Sequence, residues 1–251
     1  MRKKQMMHVS KVTSIALDTV EMVLKNKEVS QTAVPGQFLH IAVPGHTLRR
    51  PVSIADVNRD DDTITILFKT IGTGTKELAS VKQGSELDVL GPNGNGFPVD
   101  TIKPSTVLLI GGGIGVPPLY YLAKSLAEKG CHVISVLGFQ TKDYVFYEDQ
   151  FKAIGKTYIV TDDGSYGHKG LVTDVLSDIG SFETYFSCGP LPMLKAVRHH
   201  LKDTPGYLSL EERMGCGIGA CYACVIPTND EVGYKKICQH GPVFKSEEVQ
   251  L

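Results

Sequence analysis

Between residues 212 and 227 the chain reads ERMGCGIGACYACVIP, and a further cysteine follows at Cys238. The spacing is Cys216-x4-Cys221-x2-Cys224-x13-Cys238. Four thiolates arranged in this way hold either zinc or an iron–sulfur cluster. Structural zinc sites usually pair their cysteines as two short knuckles, whereas here three stand together and one alone. The first three match the plant-type [2Fe–2S] spacing, although the last interval of 13 residues is shorter than that pattern uses. Gly215, Gly217 and Gly219 suit a loop wrapped closely around sulfides, with backbone N–H groups aimed at sulfur. Such hydrogen bonds help set a reduction potential. The pattern favours [2Fe–2S], with zinc as the alternative.

A second chemistry-bearing stretch is GGGIGVPP, residues 111–118. It follows an apolar run and precedes a helical pattern, where backbone amides and a helix dipole can hold a pyrophosphate. Gly111, Gly112, Gly113 and Gly115 let the backbone approach a ligand, and Pro117 or Pro118 suits a first helical turn. Pro118 replaces the third glycine of the usual dinucleotide fingerprint, and no acidic residue closes the next strand. A tight turn without a ligand is the competing reading. The CGPLPM turn repeats the geometry, and places Cys188, Gly189 and Pro190 at a strand's C-terminal end. For a lone cysteine such as Cys188, simple packing competes.

A third set lies upstream. In LRRPVSI, Arg50 can grip a pyrophosphate bidentately, and the Ser53 hydroxyl can bond a ring nitrogen. TIGTGT adds a tight turn with Gly74 and Thr75 placed for phosphate contact. Taken separately, Arg49 and Arg50 read as a solvated charged pair.

These residues need elements to position them. Up to about residue 100, the runs at 36–43, 51–57, 63–69 and 85–91 are short, β-rich and bounded by turn signals, which predicts a small antiparallel barrel or sandwich. Gly/Pro-rich residues 91–105 form a joint. Strand-like runs at 106–110, 132–139, 157–162 and 184–188 then alternate with helix-like segments, including 117–130, which predicts a parallel-sheet α/β domain. From about residue 206 the periodicity stops. The expected division is an N-terminal barrel at 1–102, an α/β domain at 103–205 and a cysteine-bearing subdomain at 206–251.

The chain has 251 residues, 42% of them hydrophobic, and a formal net charge of −1. Near-zero charge offers no footprint for nucleic acid or a membrane surface. No apolar run follows the basic N-terminal residues and none is long enough to span a bilayer, so a cytoplasmic location is expected. In a reducing compartment, clustered cysteines point to metal or redox chemistry rather than to disulfides.

R-x-x-S in an N-terminal barrel, then G-x-G-x-x-P and C-G-P in an α/β domain, resembles the ferredoxin–NADP reductase superfamily. With the extension CGIGACYACVIP…C, the whole chain is similar to the family of electron-transfer subunits of type B, NAD-dependent dihydroorotate dehydrogenases, which share the short last cysteine interval. The resemblance implies FAD held by Arg50, Pro51, Val52 and Ser53, lined by Leu67, Phe68 and Lys69, with its phosphates at Gly74 and Thr75. The glycine loop and the Cys188–Pro190 turn would serve NAD(H), and Cys216, Cys221, Cys224 and Cys238 one [2Fe–2S] cluster. Val52 stands where the superfamily usually has an aromatic residue, which leaves open what stacks on the flavin. Asp162 and Asp163 face the adenosine side or merely shape a turn, and NADH rather than NADPH comes from the resemblance.

The implied activity passes electrons from an FMN-containing catalytic subunit through the cluster and FAD to NAD+, in pyrimidine (UMP) biosynthesis. The implied assembly is a heterotetramer with two subunits of each kind. No acid–base catalytic residue is expected, nor oxidation of dihydroorotate by this chain alone. Two other readings are a flavin/iron–sulfur reductase subunit serving a ferredoxin, sulfide or hydrogenase partner, and a zinc-stabilised nucleotide-binding interaction module.

Overall fold

The β-rich runs of the N-terminal part close into a six-stranded antiparallel barrel. The computed structural model describes residues 3–251. Its first strands are β1 (Lys3–Ala16), β2 (Thr19–Lys25), β3 (Phe38–Ile41), β4 (Arg50–Asn58), β5 (Thr63–Lys69) and β6 (Glu86–Asn93). They run in the order β1-β2-β5-β4-β3-β6, with short helices α1 (Lys27–Thr32) and α2 (Thr73–Ala79) on the connections. Alternate residues such as Leu39, Ile41, Val52, Ile54, Ile64 and Ile66 fill the barrel, as the period of two requires.

The first hairpin is absent from the sequence reading, yet β1 closes the barrel by pairing with both β2 and β6. Only Met7 and Val9 of its 14 residues are fully buried. A strand so rich in lysine and polar residues shows no apolar run.

The α/β domain contains β7 (Thr106–Gly112), β8 (His132–Phe139), β9 (Lys156–Thr161), β10 (His168–Lys169), β11 (Thr184–Cys188) and β12 (Gly206–Ser209). Its principal helices are α3 (Val116–Glu128), α4 (Glu148–Lys152) and α5 (Leu191–His200). In the cysteine-rich segment, β13 (Val225–Pro227) pairs with β14 (Tyr234–Lys236), followed by α6 (Ile237–His240) and β15 (Val243–Lys245). The seven-stranded sheet has the order β10-β9-β8-β7-β11-β12-β15. Every pair in it is parallel except β12–β15. β12 begins at residue 206, where the sequence reading ends the α/β domain, and it is itself a sheet strand. Four residues with no long apolar run gave it no signal.

The strand order reverses at β7: the chain builds outward through β8, β9 and β10, then crosses back to β11 on the other side of β7, so the loops after β7 and β11 meet at the switch point where open α/β sheets bind ligands. Helix α3 joins the two halves: Tyr121 enters the barrel core and donates to the Ala33 carbonyl at 2.9 Å. Lys124 pairs with Asp56 at 2.6 Å. The cysteine-rich segment is fixed to both. β15 extends the sheet, while Asn95 at the barrel rim donates its backbone N–H to Gly241 and its side-chain amide to His240. No helix among the described residues is long and apolar enough to cross a membrane.

Candidate functional site

At the switch point, the glycine loop and the C-G-P turn form one wall of a cleft of about 630 Å³. Gly112, Gly113, Gly115, Gly189 and Pro190 line it. Their approach depends on Gly115: a methyl there would overlap the Cys188 carbonyl. Gly111 and Cys188 stand behind the wall. Gly111 lies within β7, and Cys188 is 1% exposed among apolar neighbours. Burial, then the nearby Glu211 carboxylate, push the Cys188 thiol far above its usual range, so it is an inert packing group rather than a nucleophile.

The rest of the lining comes from the end of the barrel and from further segments of the α/β domain. Lys69 at the end of β5 reaches into the cleft, its ammonium 4.6 Å from the Tyr144 ring centroid. Gln140, Thr173, Met193 and Glu211 also line the space, and Asp162 stands on its wall. Met193 belongs to the C-G-P turn, in the first turn of α5 against Gly112 and Gly189, whereas Gln140, Thr173 and Glu211 sit on separate segments with no motif around them and are brought together by the sheet order. Of the two acidic candidates, Asp162 faces the cleft, whereas Asp163 accepts hydrogen bonds from Ser165 and shapes the turn.

Arg50, Pro51, Val52 and Ser53 open β4, and Leu67, Phe68 and Lys69 end its neighbour β5. The Arg50 guanidinium packs directly on Gly74, where a Cβ would overlap it, and stands 3.1 Å from His46. The cation is therefore presented at the turn carrying Gly74 and Thr75. The Thr75 hydroxyl bonds Gly72 and shapes that turn. Val52 and Phe68 point into the barrel core, while the partly exposed Ser53 and exposed Pro51 lie on the outer face. Val52 therefore leaves the role of the missing aromatic unfilled.

The four cysteines form two contacting pairs. The Cys221 N–H donates to the Cys216 sulfur at 3.3 Å, and the Cys216 N–H to the Cys221 sulfur at 3.5 Å. Cys224 and Cys238 are fully buried against the sheet-side core. Burial raises the Cys216 thiol, but the amides of Ile218, Cys221 and Ala220 and the Cys221 side chain outweigh it, holding Cys216 at about 6. Burial, then Cys224, push Cys238 up to about 12. As they stand, no three His, Cys, Asp or Glu side chains among the described residues converge into a metal-binding group. The donor chemistry nonetheless fits a sulfur-bearing cluster: soft ligands, amides aimed at sulfur, and a loop whose Gly217 and Gly219 adopt φ of 70° and 85°.

One buried residue of this region was not singled out by sequence. His40 on β3 is 0% exposed, and neither ring nitrogen has a hydrogen-bond partner among the described residues. Burial, then the Arg49 charge, lower it to about 4, so the ring is neutral. A single histidine in an apolar strand carries no sequence signal.

Residues 211–250 match the family model described as the iron–sulfur cluster binding domain of dihydroorotate dehydrogenase B. The chain is 50% identical over 259 residues to the dihydroorotate dehydrogenase B (NAD(+)) electron transfer subunit of Bacillus cereus strain G9842, with both chains fully covered. Identity to the corresponding subunit of Bacillus velezensis is 51% over 255 residues, covering 99% of this chain and 100% of that one. Among solved structures, an NADH-dependent reduced ferredoxin-NADP oxidoreductase aligns with a TM-score of 0.88 at 32% identity, covering 97% of this chain and 89% of that one. A ferredoxin NADP+ reductase from Neisseria gonorrhoeae with bound FAD and NADP shares the fold, with a TM-score of 0.69 at 17% identity over 80% of this chain and 92% of that one.

Proposed function

The chain belongs to the family of dihydroorotate dehydrogenase B (NAD(+)) electron transfer subunits, and on that premise we propose how its residues divide the work. It is the oxidoreductase subunit that passes electrons between a catalytic partner subunit and NAD+, with FAD and an iron–sulfur cluster as cofactors. When bound, FAD supplies the exchange between the two-electron chemistry of a nicotinamide and the one-electron chemistry of a cluster. The chain's own residues hold, orient and shield these groups.

Residues 1–102 serve the flavin. Arg50, presented over Gly74, neutralises its phosphates, with Thr75 shaping the turn. Ser53 and Pro51 offer the outer face of β4, and Leu67, Phe68 and Lys69 bound the site from β5. Val52 contributes backbone rather than a stacking ring. Residues 103–205 serve NAD(H). The amides of Gly112, Gly113 and Gly115 take the pyrophosphate, Gly189 and Pro190 bound the far side, and Gly111 and Cys188 support the wall from behind. Asp162 favours a ribose hydroxyl over a phosphate, and so NADH over NADPH. Cys216, Cys221, Cys224 and Cys238 hold a [2Fe–2S] cluster in the segment after β12.

The partner is an FMN-bearing catalytic subunit in a heterotetramer with two subunits of each kind. Ile218 and Tyr222 on the cysteine loop and Val232 on the β13–β14 hairpin are 50%, 66% and 67% exposed. Apolar groups this open, beside the cysteines, mark the face that meets the partner. The single observation carrying the reading is the Cys216–Cys221 loop with its amides turned onto sulfur. The test is co-purification from the native cell, with orotate formation measured on the complex. An FMN protein that makes orotate from dihydroorotate and reduces NAD+ supports the proposal; a ferredoxin, sulfide or hydrogenase partner refutes it.

A further inference from the structure

β3 lies between the two proposed redox sites, and its side chains alternate between them and the barrel core. Leu39 and Ile41 point inward with Val52 and Ile54 of β4. His40 pairs across the ladder with Pro51, and Phe38 with Ser53. Directly opposed residues share a face, so His40 projects from the same outer face as Pro51 and Ser53, where the flavin is proposed to lie. Phe38 on that face packs in one core with Cys224 and Cys238. The cysteine loop closes over His40 from the other side. A methyl at Gly217, next to Cys216, would overlap the imidazole at Nδ1, and Gly217 sits at a φ of 70° that favours glycine.

A buried polar atom without a partner is costly, and native interiors rarely contain one. An apolar side chain of similar size would fill this site without that cost. Packing therefore accounts for the volume of His40 but not for its nitrogens. No group among the described residues supplies their partner, and the Nδ1 edge is turned toward the cysteine loop.

Resting on the assignment of the four cysteines, we propose that His40 is a positioning residue between the two redox sites. Its ring donates a hydrogen bond from the Nδ1 edge to the sulfur-bearing cluster, fixing the cluster against the flavin-facing strand. The close approach of Gly217 exists to bring that edge within reach.

The test uses the full chain purified anaerobically with its cofactors, comparing His40→Leu and His40→Gln with the wild-type chain. Iron and flavin content, the electron paramagnetic resonance spectrum of the reduced cluster and its midpoint potential are read on each. Hydrogen bonds to cluster sulfur set its potential and raise it. The leucine variant should therefore keep its flavin and show a lowered midpoint with an altered spectrum, and the glutamine variant, which retains an N–H donor, should lie between it and the wild-type chain. A leucine variant with native midpoint and spectrum overturns the proposal. Should leucine cost the cluster, glutamine decides: retained iron supports the donor role, and equal loss of iron overturns it. A wild-type chain without cluster iron refutes the cysteine assignment instead, which keeps the two failures distinct.

Discussion

Arg50 is the side chain on which flavin affinity should depend most. Its guanidinium stands over Gly74, and a charge-assisted hydrogen bond is worth about 1.5–3 kcal/mol. Arg50→Ala should weaken FAD binding roughly 10- to 100-fold, read by flavin titration of the deflavinated chain, while leaving cluster iron in place. A second charged site governs stability rather than binding. Asp88 on β6 meets Arg49 at 2.8 Å and Lys4 at 3.0 Å. Burial pushes the Asp88 carboxyl up, but Lys4 and Arg49 together outweigh it and hold it below its ordinary 3.8. A depressed carboxyl stabilises the fold above its unfolded pKa, and that contribution is lost as pH falls through the folded value. Asp88→Asn should cost about 0.5 kcal/mol at neutral pH. Denaturant melts should show the two proteins converging once pH drops well below 3.8.

At the scale of elements, the proposed NAD(H) cleft depends on how closely two loops approach. Gly115→Ala sets a methyl against the Cys188 carbonyl and must part the glycine loop from the C-G-P turn. The KM for NADH should rise about tenfold, equivalent to about 1.4 kcal/mol of binding, with flavin and iron contents unchanged. Sequence made this arrangement partly legible. β4, β5, β7, β8, β9, β11 and α3 all carry apolar runs of the right period, and the glycines mark their ends. β1 stayed invisible because its outward face is polar and lysine-rich, and β12 because it is short. Lys69 is expected at the flavin and also lines the proposed NAD(H) cleft, since β5 ends where the two proposed sites meet. Gln140, Thr173 and Glu211 reach the cleft from segments whose neighbourhood is set by strand order, which local pattern does not encode. His40 went unread for a related reason: its meaning comes from Gly217, far along the chain, closing over it.

For the whole molecule, electron transfer requires the barrel, the sheet and the cysteine-rich segment to hold one arrangement. Tyr121 is the buried fastener between barrel and α3, its hydroxyl donating to Ala33 and accepting from Arg59 at 3.3 Å. Tyr121→Phe leaves the Ala33 carbonyl without that donor and should cost about 1–2 kcal/mol, lowering Tm by roughly 2–8 °C in a calorimetric scan. The cysteine-rich segment, bound to the rim through Asn95 and to the sheet through β15, is where the function converges. One sample of the anaerobically purified chain, assayed together for flavin, iron, acid-labile sulfide and zinc beside Cys238→Ser, tests that claim most directly. FAD with iron and sulfide in equal amounts is expected, with loss of iron and cluster absorbance in the variant. A colourless chain with stoichiometric zinc and no flavin, or a Cys238→Ser variant that keeps its full iron, would contradict it.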